Sequence, residues 1–227
     1  MKSLLIIFAK EPVPGQVKTR LTPPLSPADA ARLYHLFLED ILEEMGPLPE
    51  IGLSLAYSPP AALNFFQRLA PPGVLLFPQE GPGLGERLAN ACHRGFGMGF
   101  RNVLVRNSDS PDLPGETVLA AAGALRSGQA DLVLGPNPDG GYYLLGLNQC
   151  RPRLFQGICW SSPTVLPATL DLARDSSLSP LLLPSWPDID TISDLRAFAG
   201  RPHPPQGPGR RSRAFARELL EAIPGGD

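Results

Sequence analysis

Apolar and polar positions follow two different periods along this chain, and together they predict strands separated by helices. Short apolar runs of strand length occur at 3–9, 51–58, 73–79, 101–108, 130–137 and 141–147. Between or after them, apolar residues recur at helical spacing at 26–45, 61–70, 84–99, 115–128 and 192–199. This alternation is typical of an α/β protein. We therefore expect three layers, with helices covering both faces of a mostly parallel sheet.

The segment 26–45 has the most complete helix signal. Ser26 is a favoured N-cap, Pro27 suits the first helical position, and Asp29 follows three residues after the cap. We expect residues 1–200 to form a single domain. Residues 201–227 begin as a Pro/Gly/Arg linker and end in a short amphipathic helix, which we interpret as an appendage packed on the domain or on a partner.

The composition is that of an ordinary globular protein. The 227 residues carry a net charge of -2, which gives no support for binding nucleic acid or an anionic membrane surface. The three cysteines, Cys92, Cys150 and Cys159, form no C-x-x-C pair, so we expect neither a disulfide framework nor a structural zinc, and a cytoplasmic location. No apolar run is long enough to span a bilayer. The oligomeric state is not readable from the sequence.

Polar clusters directly follow several predicted strands, where ligands bind in α/β sheets. The first runs from Lys10 to Arg20. Its prolines constrain the turn, Gly15 allows close backbone approach, and Lys18 and Arg20 add cations beside backbone amides. A fixed loop with cations suits a phosphate or diphosphate, although a solvated basic loop has the same composition. The glycine spacing is not that of a P-loop.

The second cluster, residues 107–114, contains two aspartates in a turn after a strand. Carboxylate oxygens at a strand end suit Mg²⁺ or Mn²⁺. We assign Asp109, which lies nearer the strand, as the metal ligand and Asp112 as a structural residue. The alternative is a simple Asx-turn that leads into a helix.

Two further clusters contain aspartates. Asp139 precedes Gly140, Gly141 and Tyr142, which is either a hairpin turn or a ligand-binding turn whose glycines let the backbone pass close to a ligand. In an extended chain the side chains of Asp188 and Asp190 point to the same side, where they are able to complete a metal or sugar site. Alternatively, Asp190 or Thr191 caps the following helix.

Taken together, six segments resemble, in order and spacing, a family of small bacterial glycosyltransferases with the GT-A, nucleotide-diphospho-sugar transferase fold. These segments are FAKEPVPGQVKTRL, QEGPGLGERL, NSDSPDLP, LGPNPDGGYYLLGL, GICWSSPTVL and DIDTISDL. The resemblance covers residues 3–198. A more distant likeness is to the phospholactate and molybdenum cofactor guanylyltransferases.

The resemblance implies a role for each segment. The loop with Lys10, Gly15, Lys18 and Arg20 would hold the nucleotide and its phosphates, and Lys18 would also serve in catalysis. The segment with Gly85, Glu86 and Arg87 would lie beside the nucleotide. Asp139 would be catalytic on the acceptor side, with Gly140, Gly141 and Tyr142. Asp109 would bind Mg²⁺ or Mn²⁺, joined by Asp188 or Asp190, of which we choose Asp190.

The chain departs from the family pattern at two positions: Asn107 stands where a glycine is usual, and Gly83 where an aspartate is frequent. These departures bear on base recognition. Our leading hypothesis is a metal-dependent glycosyltransferase that uses a nucleotide-sugar donor and a small-molecule acceptor. The alternatives are a nucleotidyltransferase, using a nucleoside triphosphate and a phosphorylated acceptor, and a non-catalytic nucleotide-binding protein.

Overall fold

The computed structural model describes residues 3–202, 204 and 206–223. Its strands are β1 (Ser3–Lys10), β2 (Ile51–Ser58), β3 (Leu75–Pro78), β4 (Asn102–Arg106), β5 (Leu132–Pro136), β6 (Tyr142–Leu147) and β7 (Pro180–Leu182). Its α-helices are α1 (Pro27–Met45), α2 (Leu63–Leu69), α3 (Leu84–Gly97), α4 (Gly115–Ser127), α5 (Val165–Asp175), α6 (Ile192–Gly200) and α7 (Arg210–Ala222). No described helix is long and apolar enough to cross a membrane.

The strands form one sheet in the order β3-β2-β1-β4-β6-β5-β7. Strand β6 runs antiparallel to both of its neighbours, while the other pairings are parallel. The predicted fold class, a mostly parallel sheet between helical layers, is therefore confirmed. The antiparallel β6 makes β5 and β6 a hairpin whose turn lies at the same edge as the carboxyl end of β4.

Both faces of the sheet are buried, as the continuous apolar run of β1 predicts. Leu5 and Ile7 belong to one core, against apolar residues of α1, α2, α4, α6 and α7. Leu4 and Ile6 belong to the other core, against α3 and α5. Side chains of alternate residues in β1 thus support the two layers.

Ser26 caps α1 as predicted, with its hydroxyl accepting a hydrogen bond from the Asp29 amide at 3.1 Å. The sequence pattern did not predict α5 or β7. Strand β7 has only three residues, and α5 begins in a Ser/Pro-rich segment with Pro167 inside its first turn. Both signals are too short or too interrupted for periodicity to detect.

Helix α7 is joined to the domain by two buried aspartates. The Asp40 carboxylate, on α1, accepts hydrogen bonds from the Arg211 amide at 3.1 Å and from the Ser212 amide and hydroxyl at 2.8 and 2.6 Å. It therefore caps the start of α7, where amides have no helical partner.

The second aspartate is Asp112, in the loop after β4. Its carboxylate accepts hydrogen bonds from the Trp186 indole at 3.0 Å, from Arg201 at 2.5 Å and from Arg213 at 3.2 Å. The side chains of Asp112 and Arg213 are 2% and 5% exposed. The Arg213 guanidinium also lies over the Phe198 ring, so α7 contributes a buried cation to the interior.

Candidate active site

A cleft of about 900 Å³ opens at the carboxyl edge of the sheet. The loops after β1, β4 and β5, the start of α3, and the segments 160–165 and 188–190 form its walls. The described residues that line it include five cationic side chains and four carboxylates: Lys10, Lys18, Arg20, Arg87, Arg106, Asp109, Asp139, Asp188 and Asp190. Clusters far apart in sequence therefore meet in one place.

Lys18 lies at the centre of the polar part of the cleft. Its ammonium is 2.6 Å from Asp109 Oδ1 and 3.0 Å from Asp190 Oδ1, and it donates to the Ile189 carbonyl at 2.7 Å. Its side chain is only 4% exposed. Burial opposes the charge of this ammonium, but the charges of Asp109 and Asp190 together outweigh that effect and raise its pKa. Lys18 is therefore cationic at physiological pH.

The backbone at Lys18 adopts the left-handed conformation, with φ at 48° and ψ at 37°. This region costs a non-glycine residue about 1–2 kcal/mol. Ser161, which also lines the cleft, has a positive φ too, of 61°. Non-glycine residues held in such conformations cluster at functional sites, because the surrounding contacts have to maintain them.

Asp188 lies behind Asp190 and accepts hydrogen bonds from three side chains. Asn107 Nδ2 contacts both of its oxygens at 2.9 Å, and the Ser110 hydroxyl and Asn137 Nδ2 each donate at 2.6 Å. Burial, reinforced by the negative charge of Asp109, raises the pKa of Asp188 to about 7. Asn107, one of the two departures from the family pattern, thus holds the segment that carries Asp190 against the loop that carries Asp109.

Two further side chains support these loops from below. Arg106 donates to the carbonyls of Asn107 and Ser110 at 3.0 and 2.7 Å, and burial lowers its pKa to about 10. The Tyr34 hydroxyl accepts from the Lys10 amide at 3.1 Å and lies 2.6 Å from the Ser108 hydroxyl. Burial and Asp109 raise the pKa of Tyr34 to about 12. These contacts fix the loops after β1 and β4 relative to each other.

The hairpin between β5 and β6 forms the opposite wall. The Gly141 amide donates to Asp139 Oδ1 at 3.0 Å, which closes an Asx-turn, and Asp139 is exposed at the cleft. Gly140 has a φ of +90°, and a Cβ there would lie 2.2 Å from the Pro163 carbonyl oxygen. The close backbone approach at Gly140 is thus to the segment before α5, which holds the hairpin in place.

An aromatic contact joins this wall to the start of α3. Trp160 packs edge-to-face on Tyr142, with ring centroids 6.4 Å apart. A Cβ at Gly85 would lie 2.5 Å from the Trp160 indole nitrogen and 2.7 Å from the Phe155 carbonyl oxygen. Gly85 is therefore needed to let Trp160 reach α3, and the second and fifth of the six segments meet there.

The structure brings most of the predicted site residues to the cleft. Those that line it are Lys10, Lys18, Arg20, Arg87, Asp109, Asp139, Gly141, Tyr142 and Asp190. Gly15, Gly85, Glu86 and Gly140 do not line it. Gly15 is an exposed loop residue with φ +78°, and Glu86 is an exposed residue in the first turn of α3.

Sequence reasoning missed several residues that build the cleft. Tyr34 lies within the apolar pattern of α1 and looks like an ordinary core residue. Ser110 and Asn137 flank the predicted aspartates, but their link to Asp188 depends on contacts 78 and 51 residues away in sequence. Only the resemblance pointed to Trp160.

The predicted divalent metal stays a prediction. Among the described residues, no group of three or more His, Cys, Asp or Glu side chains is arranged to hold a metal ion. The oxygens of Asp109, Asp190 and Ile189 instead converge on the Lys18 ammonium. Two carboxylates and a carbonyl are nevertheless the donor types that hard divalent cations prefer, so the residues present fit such an ion.

Comparison with known proteins identifies the class of fold first. A "putative nucleotide-diphospho-sugar transferase" from Desulfovibrio desulfuricans G20 superposes with a TM-score of 0.86 and 33% identity, over 96% of this chain and 99% of that one. The predicted resemblance to this class is confirmed. A family model described as "uncharacterized protein conserved in bacteria (DUF2064)" matches residues 41–162. This chain belongs to the DUF2064 family.

More distant structures share the fold. A CMP:2-keto-3-deoxy-manno-octonic acid synthetase complexed with CTP superposes with a TM-score of 0.56 at 11% identity, over 96% of this chain and 100% of that one. A cytidylyltransferase from Leptospira borgpetersenii serovar Hardjo-bovis (strain JB197) gives 0.56 at 13% identity, over 100% and 98%. No curated protein matches this chain in sequence.

Proposed function

We propose that this protein is a metal-dependent glycosyltransferase that takes a sugar from a nucleotide-diphospho-sugar and passes it to a neutral, hydroxyl-bearing acceptor. The observation that carries the proposal is the division of charge in the cleft. Lys10, Lys18, Arg20 and Arg87 come from the end of β1, the loop after it and the start of α3. Segments 137–143 and 160–165 contain no lysine or arginine.

This division matches the needs of a donor and an acceptor. The cationic half suits the diphosphate that leaves in glycosyl transfer, because its charge grows as the bond to the sugar breaks. The other half offers Asp139, Tyr142 and Trp160, which suit hydroxyl groups and a sugar ring. A phosphorylated acceptor would meet the Asp139 carboxylate there. Arg106, the fifth cation of the cleft, lies beside Tyr143, but it is buried and donates to the carbonyls of Asn107 and Ser110.

The charge balance of the cleft also favours a divalent cation. Five cationic side chains face four carboxylates among its described residues, so the net charge falls short of what a diphosphate brings. Asp109 and Asp190 would hold Mg²⁺ or Mn²⁺, which would neutralise the departing nucleoside diphosphate. Arg20, which is 69% exposed at the mouth, would contact the same phosphates. Asp139 would accept the proton of the attacking hydroxyl.

Nucleotidyl transfer is the second candidate. A cytidylyltransferase and a CMP:2-keto-3-deoxy-manno-octonic acid synthetase that share the fold favour it. The same side chains would then stabilise charge at the α-phosphate while pyrophosphate leaves. Transfer to a phosphorylated acceptor requires a cation on the Asp139 side, and the two segments that form that side provide none.

A panel of nucleotide sugars and nucleoside triphosphates, with Mn²⁺ or with EDTA, tests the proposal. We expect metal-dependent thermal stabilisation by a nucleotide sugar, and release of nucleoside diphosphate when an acceptor is added. Release of pyrophosphate from a triphosphate would replace glycosyl transfer by nucleotidyl transfer. Metal-dependent binding without either product would leave a non-catalytic nucleotide-binding protein.

Asp109→Asn should abolish the metal-dependent stabilisation. Asp171→Asn is the matched control, because Asp171 is an exposed aspartate on α5 whose ion pair with Arg174 lies outside the cleft. An Asp109→Asn protein with unchanged metal dependence would remove Asp109 from the site.

A further inference from the structure

The Lys18 ammonium is surrounded as a bound cation would be. Three oxygens lie within 3.0 Å of its nitrogen: Asp109 Oδ1 at 2.6 Å, Ile189 O at 2.7 Å and Asp190 Oδ1 at 3.0 Å. We call these three atoms the oxygen cage. Because the ammonium uses all three oxygens, a divalent ion cannot bind them while Lys18 stays in place.

The oxygen cage is held by contacts that do not involve Lys18. The Ile189 amide donates to the Asp109 carbonyl at 3.0 Å, which joins the two segments. Asp194 Oδ2 accepts from the amides of Asp190 and Thr191 at 3.3 and 2.8 Å. The cage therefore has its own support when the ammonium leaves.

Lys18 itself is held in a costly conformation. Its backbone is left-handed, and its side chain is buried, with these three contacts compensating the charge of the ammonium. Loss of the contacts would let the side chain turn within the cleft, where Lys10, at the end of β1, and Arg20, on the same loop, also lie.

We propose that Lys18 is a placeholder for the divalent cation: its ammonium fills the oxygen cage in the free protein, is displaced when the metal binds there, and then binds the phosphates of the donor. The proposal rests on the proposed function for the metal and the donor. It adds the Ile189 carbonyl as a third metal ligand. It also makes metal and phosphate binding cooperative, because the phosphate stabilises the form in which the cage is open.

Binding of Mn²⁺ alone, without nucleotide, tests the exchange. Lys18→Met removes the competitor, so we expect it to bind Mn²⁺ at least about tenfold more tightly than the native protein does. Arg20→Met is the matched control, since Arg20 also faces Asp190, at 3.6 Å, but is exposed and outside the cage. We expect its Mn²⁺ affinity to change by less than about threefold. The double variant Lys18→Met/Asp109→Asn should lose the gain.

Inorganic pyrophosphate serves as a probe for the second half of the proposal. It should tighten Mn²⁺ binding to the native protein, and it should do so much less in Lys18→Met, where no ammonium needs to be accommodated. The exchange is overturned if Lys18→Met binds Mn²⁺ no better than the native protein, or if Arg20→Met gains as much.

A measurement on the native protein avoids any dependence on how well the variants fold. Acetylation of lysine amines, followed by mass spectrometry, reports whether Lys18 is accessible. The exposed Lys10 is the internal reference for the two conditions without pyrophosphate, because Lys10 also lines the cleft and pyrophosphate would contact it. We expect Lys18 to be protected in EDTA, reactive with saturating Mn²⁺, and protected again when pyrophosphate is added. Continued protection in Mn²⁺ would overturn the exchange.

The outcome of these tests is independent of whether the proposed function is correct. They use neither a nucleotide nor an acceptor, so a protein that turns over no nucleotide sugar can still show the exchange. Equally, glycosyl transfer by a protein whose Lys18 never leaves the cage would remove the exchange and keep the proposed function.

Discussion

Two aspartates of one short loop, Asp109 and Asp112, have opposite surroundings. Asp109 is 35% exposed and shares a lysine with Asp190 at the cleft. Asp112 is 2% exposed and is held by two arginines and an indole. Asp109 can exchange its partner because water reaches its carboxylate. Asp112 cannot, because losing its partners would leave buried charges uncompensated.

The largest expected effect on stability comes from removing the charge of Asp112, the buried aspartate of this loop. Asp112→Asn leaves the buried Arg213 without its carboxylate, and we expect a loss of about 3–5 kcal/mol in the free energy of unfolding. Asp109→Asn is the matched variant and should cost clearly less, because Asp190 and the Ile189 carbonyl remain as partners of the Lys18 ammonium. Urea unfolding of both proteins measures the difference. Equal losses would abolish the distinction between the two aspartates.

The cap of α7 should matter less. Asp40→Ala leaves the amides of Arg211 and Ser212 and the Ser212 hydroxyl without their acceptor, and we expect a loss of about 2 kcal/mol. Hydrogen exchange at α7 should accelerate more than exchange at β1 does. Uniform acceleration throughout the chain would mean that α7 does not open as a separate unit.

Asp188 gives the comparison a pH dependence. In the folded protein the Asp188 carboxyl group keeps its proton up to about pH 7, whereas in an unfolded chain it loses this proton near pH 4. Between these values the folded state binds the extra proton, so stability is lost as the pH rises. In EDTA, the melting temperature of the native protein should therefore fall relative to that of Asp188→Asn across this range. A constant difference between the two proteins would contradict the raised pKa.

The smallest effect on stability is expected at the exposed end of the cleft. Arg20→Ala should change the free energy of unfolding by no more than about 0.5 kcal/mol, because the Arg20 side chain is mostly in water. Its affinity for pyrophosphate should nevertheless fall several-fold. Arg174→Ala, on α5, is the control with a similarly exposed ion pair. Equal pyrophosphate affinity in both variants would exclude Arg20 from phosphate binding.

Much of the fold and the cleft could be predicted because the signals are local. Strand and helix periods gave the layers, and the rule that ligands lie at the carboxyl ends of strands brought Lys18, Asp109 and Asp190 into one region. The six segments then gave the class of fold.

What the sequence could not show depends on partners far along the chain. The role of Asp112 is set by Trp186, Arg201 and Arg213, which lie 74, 89 and 101 residues later. The contact that requires a glycine at position 85 is also distant in sequence, because a Cβ there would meet the Trp160 indole. The partner of Lys18 was likewise beyond reach, because spacing does not tell whether a lysine faces a phosphate or an aspartate.

The position of α7 in the chain has a consequence for biosynthesis. A growing chain releases Asp40 and Asp112 long before it makes Ser212 and Arg213, their partners 172 and 101 residues later. The strands β1–β7 all precede α7 in the chain, so we expect the sheet to assemble first, with both carboxylates still in contact with water. The loop that carries Asp109 would then gain the last of its buried contacts, from Arg213 to Asp112, only when α7 emerges from the ribosome. The candidate site would therefore be among the last parts of the molecule to mature.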